Sequence, residues 1–460
     1  MDIKGKSVVE LQNLINSKSI SSQEVRDYFI NRSKRYNDQF NAYLTFNESV
    51  EVDEGELKGI PLAIKDNFCT KDLRTTASAK VLDIFIPPYE STVTSKLKHA
   101  GAYVLGKTNM DAWAHGSSTE TSDYGPSKNP WDTERAPGGS SGGSAVAVSA
   151  GLAPAAIGSE TAGSIRQPAS WCGTVGLKPT YGRVSRYGVV AMGSSLDCPG
   201  PMTTNVEDAA YLLQLIAGKD PYDATTSPVP VDNYIEAMKE KRKLKIGITD
   251  EYFEGVDESV KKRVEESIEI LKKMGHEIKK IHLISPKYAI SVYTVIQRAE
   301  VSSNLARYDG IRYGNPRSAF GREAKRRMML GTYTLAHGYY DAYYKQAQKV
   351  RTLIIEDFKN VFKEVDVIVS PTTPVTALKL GEFEKYPFFG EMMDVLNEPA
   401  AVSGIPAINV PCGFDDNGLP VGIQVMGNYF AESTLLQFAY QFEKETNYFD
   451  VIKKGIERYD

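Results

Sequence analysis

The sequence predicts an α/β fold in a single large domain. Short apolar runs that read as strands alternate with longer stretches of helical periodicity, and Ser-x-x-Glu signatures open the first helices. No Pro/Gly/Ser-rich linker or block of like charge divides the 460 residues, so one domain is expected although the length exceeds the usual single-domain range.

The elements follow in chain order. Ser7 with Glu10 and Ser21 with Glu24 read as capping boxes, and Val25 with Phe29 continues the second helix on one face. Ile60–Ile64 and Tyr103–Leu105 read as short strands, and Ala145–Ala150 as a helix leaving a serine-glycine loop. From Asp257 the positions Val260, Val264, Ile268 and Leu271 form an apolar stripe that Gly275 is placed to stop. Tyr343–Phe362 reads as a long helix leading into a strand over Val365–Val369, which Pro371 ends. Ile408–Pro411 and Val421–Val425 flank Asp415-Asp-Asn-Gly418, a strand–turn–strand signal.

Hydrophobic content of 42%, charged content of 24% and a net charge of −4 describe a globular chain and not an autonomous nucleic-acid binder. Cys69, Cys172, Cys198 and Cys412 have neither paired metal-ligand spacing nor the density of a disulfide scaffold, which points to a reducing compartment and to no metal. The N-terminus lacks an apolar signal core and no apolar run approaches 18 residues, so a cytoplasmic location and no membrane contact are expected. His276 and His282 lie in a Lys/Glu-rich stretch and read as solvated.

The segment Pro137-Gly-Gly-Ser-Ser-Gly-Gly-Ser144, with Gly163-Ser-Ile-Arg-Gln-Pro168 some twenty residues on, lets backbone amides and hydroxyls approach a ligand closely. It has neither the Gly-Lys-Ser/Thr of a phosphate loop nor the spacing of a dinucleotide fingerprint. Two serines in such a frame suggest a nucleophile and a relay, and a nucleophilic serine needs a base. The histidines are His99, His115, His276, His282 and His337, none of them placed in these motifs. A lysine serves instead if burial leaves it neutral near pH 7, and Gly59-Ile-Pro-Leu-Ala-Ile-Lys65-Asp66-Asn67 delivers one at the end of an apolar strand.

Together these residues resemble the amidase signature family. The resemblance implies a central mixed β-sheet flanked by helices on both faces, with an N-terminal helical part over 1–58, the signature core over 59–215 and a substrate-pocket half over 216–460. It implies Lys65 as base, Ser140 as relay after a cis peptide bond, and Ser164 as nucleophile. It also implies an oxyanion hole from the N–H groups of Thr161, Ala162, Gly163 and Ser164. At 160 and 162 the family leads one to expect Asp and Gly where this chain has Glu160 and Ala162. The expectation is that residue 162 keeps a negative φ and that Glu160 re-supports the loop.

The flanking motifs narrow the resemblance. Asn109-Met-Asp, Gly116-Ser-Ser-Thr-Glu-Thr-Ser, Val175-Gly-Leu-Lys-Pro-Thr-Tyr-Gly, Ser303-Asn-Leu-Ala-Arg-Tyr-Asp-Gly and Gly338-Tyr-Tyr-Asp-Ala-Tyr-Tyr344 are similar to the branch formed by A subunits of glutamyl-tRNA(Gln) and aspartyl-tRNA(Asn) amidotransferases. That branch implies hydrolysis of glutamine, with Arg327 holding the substrate carboxylate, Asp394 its ammonium, and Tyr293 lining the pocket. On its residues alone, Lys325-Arg326-Arg327 also reads as a solvated helix face. The branch further implies B and C subunits as partners, tRNA held mainly through a partner, no cofactor in this chain, and ATP with Mg²⁺ in the partner subunit. The alternatives are a free-standing small-molecule amidase and a catalytically impaired scaffold protein.

Overall fold

A computed structural model describes residues 3–49, 51–311, 315–382, 385, 389–447 and 449–459. Eleven described strands form one mixed sheet: β1 (Tyr43–Phe46), β2 (Pro61–Lys65), β3 (Tyr103–Thr108), β4 (Ala155–Glu160), β5 (Val175–Lys178), β6 (Cys198–Thr203), β7 (Lys245–Ile248), β8 (Glu277–Lys280), β9 (Val367–Pro371), β10 (Ala407–Phe414) and β11 (Pro420–Gly427). Their order across the sheet is β1-β3-β2-β4-β6-β5-β10-β11-β9-β7-β8. The first six strands are therefore contiguous, the last five are contiguous, and the two blocks meet at β5 and β10 through the pairs Ala407↔Lys178, Ile408↔Leu177 and Asn409↔Gly176.

Every residue of β2, β3, β4, β5, β6, β9 and β11 is buried. Successive side chains of a strand point to opposite faces, so unbroken burial means that both faces are covered. This is the expected architecture, one α/β domain with helices on both sides of a mixed sheet. The N-terminal part holds helices Val8–Asn16 and Ser22–Phe40 and also contributes the edge strand β1, which the helical reading of 1–58 missed.

Both capping boxes form: Glu10 N–H donates to Ser7 Oγ at 3.1 Å while Ser7 N–H donates to Glu10 Oε2 at 2.9 Å, and Ser21 with Glu24 repeats the exchange. The stripe from Asp257 is the helix Glu258–Lys273, with Val260, Val264, Ile268 and Leu271 buried. His276 just beyond it is buried, its Nδ1 accepting the Leu244 N–H at 3.1 Å, whereas His282 is solvated as expected. The long helix near 343 opens with a π turn over Asp341–Lys345 and continues as Gln346–Val361. The strand expected over Val365–Val369 runs two residues later as β9, with Pro371 as its last residue; pairing with β11 fixes this register through Val425↔Val369 and Ile423↔Pro371. Between β10 and β11, Asp415 Oδ1 accepts the N–H groups of Asn417 and Leu419, and Gly418 takes the left-handed φ of +75° that the turn requires.

Candidate active site

β2 and β4 are parallel neighbours, so their C-terminal ends open on the same edge of the sheet, where α/β folds place ligands. β2 ends at Lys65, and β4 ends at Glu160 and feeds the turn 161–165 that starts the helix Arg166–Cys172. Ser140 reaches the same place from the loop before the helix Gly142–Ser149, and the Gly139–Ser140 peptide bond is cis. Lys65 Nζ donates to Ser140 Oγ at 2.8 Å and to the Ser159 carbonyl at 2.8 Å. Ser164 is tied in through its backbone, its carbonyl accepting the Ser141 N–H at 3.2 Å. Gly139 N–H donates to Gln167 Oε1 at 2.9 Å, and a Cβ at 139 would overlap Asp111 Oδ2, so the turn into Ser140 tolerates only glycine there.

Electrostatics leave the lysine able to act as a base. Lys65 is fully buried, and the loss of hydration pulls its pKa from the ordinary lysine range to about 7, against the opposing pull of Asp111, Asp197 and Glu160. Because the neutral amine is the form that accepts a proton, the working fraction grows as pH rises through 7. The expected pH profile of kcat/KM has an acidic limb with an apparent pKa near 7, falling about tenfold per unit below it. A profile flat down to pH 5 would remove Lys65 from the proton path.

The turn 161–164 is held by a buried pair. Glu160 accepts from the N–H groups of Ile165 at 3.1 Å and Arg166 at 3.2 Å, and its other oxygen pairs with the Arg166 guanidinium. Arg166 also donates to the carbonyls of Ala162 and Asn397, both at 2.9 Å, and to Gln424 Oε1 at 2.7 Å. Thr161 Oγ1 donates to Asp197 Oδ1 at 2.7 Å. Ala162 is buried and is not among the residues of positive φ, as expected, so its methyl strains nothing. Glycine is needed one position later, because a Cβ on Gly163 would overlap Asp394 Oδ1.

That overlap sets Asp394 against the turn, and its Oδ2 accepts the Ser117 hydroxyl at 2.7 Å. Arg327 lies on the helix Arg322–Leu335 and is buried, while Lys325 and Arg326 on the same helix are exposed; the solvated reading of this triplet fails for Arg327 alone. Its Nε donates to Glu323 Oε1 at 2.7 Å. Tyr293 is buried on the helix Pro286–Leu305, which meets the Arg327 helix at Gly331, where a Cβ would overlap the Arg298 carbonyl. Glu160 supports the loop as expected, whereas sequence reasoning missed Asp111, Asp197, Ser117 and Arg166 as the partner of Glu160. Asp111 and Ser117 stand inside Asn109-Met-Asp and Gly116-Ser-Ser-Thr, motifs singled out without a role.

A family profile described as Amidase matches residues 24–436. The chain belongs to the amidase family. Within it, the chain is 49% identical over 470 aligned positions to the A subunit of glutamyl-tRNA(Gln) amidotransferase from Halothermothrix orenii, covering 97% of this chain and 98% of that one. Among solved amidase structures it matches the A subunit of glutamyl-tRNA(Gln) amidotransferase from Thermotoga maritima with a TM-score of 0.87 at 42% identity, over 96% of this chain and 95% of that chain. The peptide amidase of Stenotrophomonas maltophilia matches with a TM-score of 0.79 at 28% identity, over 96% and 97% of the two chains.

Proposed function

We propose that this amidase is the glutamine-hydrolysing component of a tRNA-dependent amidotransferase, releasing ammonia that a partner subunit uses to amidate Glu-tRNA(Gln) or Asp-tRNA(Asn). The observation that carries the chemistry is the buried Lys65 hydrogen-bonded to Ser140 beside the turn that bears Ser164. Near-full-length similarity to the A subunits of such amidotransferases supports the choice of substrate and assembly.

In this reading Ser164 Oγ attacks the side-chain carbonyl of glutamine while its proton passes to Ser140 Oγ and the Ser140 proton passes to Lys65 Nζ. The negative charge that develops on the carbonyl oxygen is met by N–H groups of Thr161, Ala162, Gly163 and Ser164, each such donor contributing on the order of 3 kcal/mol. Collapse of the tetrahedral species breaks the C–N bond, and the proton held at Lys65 returns along the same path to the departing ammonia. Water then clears the acyl-enzyme by the same relay. ATP and Mg²⁺ belong to the partner's chemistry, the B and C subunits complete the assembly, and the tRNA is held mainly by the partner. Four buried cysteines without disulfides suit a cytoplasmic enzyme.

The intact Lys65–Ser140 contact and the unstrained Ala162 favour turnover over a scaffold role. Coexpression with partner subunits, followed by an assay of ammonia release with and without mischarged tRNA, tests the whole reading. A chain that copurifies with none of them yet hydrolyses simple amides would be a free-standing amidase.

Arg327 and Asp394 meet the two charges of the zwitterion. Losing one charge-assisted hydrogen bond costs on the order of 2 kcal/mol, so Arg327→Ala and Asp394→Ala are each expected to lower kcat/KM for glutamine about 30-fold relative to an uncharged amide. Equal losses on both substrates would reject zwitterion recognition.

A further inference from the structure

The helix Pro286–Leu305 carries Tyr293, Gln297, Glu300 and Asn304 at spacings of four, three and four, which keeps all four on one face. Two of them fix the direction of that face. Glu300 Oε2 accepts the Ser195 N–H at 2.9 Å, and Asn304 Nδ2 donates to the Met192 carbonyl at 2.9 Å. The same 192–197 turn supplies Asp197, which accepts the Thr161 hydroxyl. Gln297, one turn before Glu300 and one turn after Tyr293, is therefore on the side of the helix that faces the 161–164 turn. It is fully buried, and neither its Nε2 nor its Oε1 has a hydrogen-bond partner among the described residues.

His115 belongs to a different segment, close enough to Arg327 and Arg298 to feel both charges. It is fully buried, and neither ring nitrogen has a hydrogen-bond partner among the described residues. Burial first, and then the nearby charges of Arg327 and Arg298, hold its pKa well below the ordinary histidine value, so the ring is neutral. Two residues on, Ser117 donates to Asp394. His115 is thus linked in space to the cation of the pocket and in sequence to the contact of its anion. Buried polar atoms are almost always hydrogen-bonded, yet two side chains on different elements around this pocket present four that are not.

We propose that Gln297 and His115 form an uncharged polar wall of the substrate pocket that hydrogen-bonds the amino-acid head of the substrate beside Arg327 and Asp394. The inference rests on the glutamine reading and deepens it. A carboxamide can donate to an α-carboxylate and accept from an α-ammonium, and a neutral imidazole has one donor and one acceptor for the same groups. Arg327 and Asp394 supply attraction. The uncharged wall supplies discrimination, because a site built to hydrogen-bond a polar group rejects an amide that lacks it.

The test uses Gln297→Leu and His115→Phe in the full chain with its partner subunits, with kinetics on glutamine and on butyramide. Each variant is expected to raise KM for glutamine about 10-fold with a much smaller change in kcat, and to lose more on glutamine than on butyramide by a similar factor. In a Ser164→Ala background the thermal midpoint without substrate should hold or rise, since apolar atoms replace polar ones that lack partners, while the glutamine-induced increase shrinks. His115→Asn, which keeps a donor and an acceptor, should recover part of the KM. Wild-type turnover of glutamine with an unchanged KM in both variants would overturn the wall. So would a fall in the midpoint of the unliganded protein with equal losses on both substrates, the mark of a structural role. A wild-type complex inert toward glutamine would instead overturn the glutamine reading, and the wall with it.

Discussion

Ser164→Ala is expected to abolish glutamine hydrolysis and to leave no acyl-enzyme, whereas Ser140→Ala and Lys65→Ala each remove most of the rate. A serine hydroxyl is a poor nucleophile at neutral pH, so the covalent step depends both on the oxygen of residue 164 and on a path for its proton. The hydrogen bond from Lys65 Nζ to Ser140 Oγ provides the end of that path, and burial leaves the amine near neutrality at pH 7. Units of this kind are strongly non-additive, so the double variant Ser164→Ala/Lys65→Ala should lose little beyond Ser164→Ala alone. Mass spectrometry of the enzyme trapped with a glutamine-like electrophile would locate the adduct. An adduct on Ser140 or on any of the four cysteines would overturn the assignment.

The second large effect is on stability. Arg166→Met leaves the Glu160 carboxylate buried without its cation, and breaking a buried pair by removing one partner typically costs about 3–5 kcal/mol. Denaturant unfolding should register that loss, and activity should fall with it, because Arg166 also holds the Ala162 carbonyl within the turn proposed to stabilise the oxyanion. Glu160→Gln/Arg166→Met removes the orphaned charge and should regain a substantial part of the stability but not the activity. A double variant as unstable as Arg166→Met would mean that the charge of Glu160 is not what the guanidinium offsets.

The proposed triad was legible because each member lies in a short motif whose local geometry is set by its own residues. Lys65 closes an apolar strand, and Ser140 and Ser164 stand among glycines that permit close backbone approach. What surrounds them was not legible, because it converges from distant chain segments. Nothing near Lys65 in sequence announces that Asp111, Asp197 and Glu160 oppose the effect of its burial. The burial of His276 depends on Leu244, 32 residues earlier, and the register of β9 depends on β11, some 50 residues later. Arg327 stood in a basic triplet whose helix could have been turned either way; only packing against the helix Pro286–Leu305 at Gly331 decides which cation is inside. Glu323, four residues before Arg327, was in principle readable as its partner.

The order of strands also bears on how such an enzyme is made. Lys65, Ser140 and Ser164 all belong to the first block of the sheet, but the outer edge of β5 is closed only by residues 407–409, roughly 230 residues downstream. At ribosomal rates of about 5–20 residues per second, that interval is on the order of 10–50 s, during which a nascent chain carrying every member of the triad displays an unpaired strand edge. Val175–Lys178 is only four residues long, and a short edge is a poor template for pairing with another chain. The brevity of β5 thus protects the growing polypeptide until residues 407–409 arrive to close the edge.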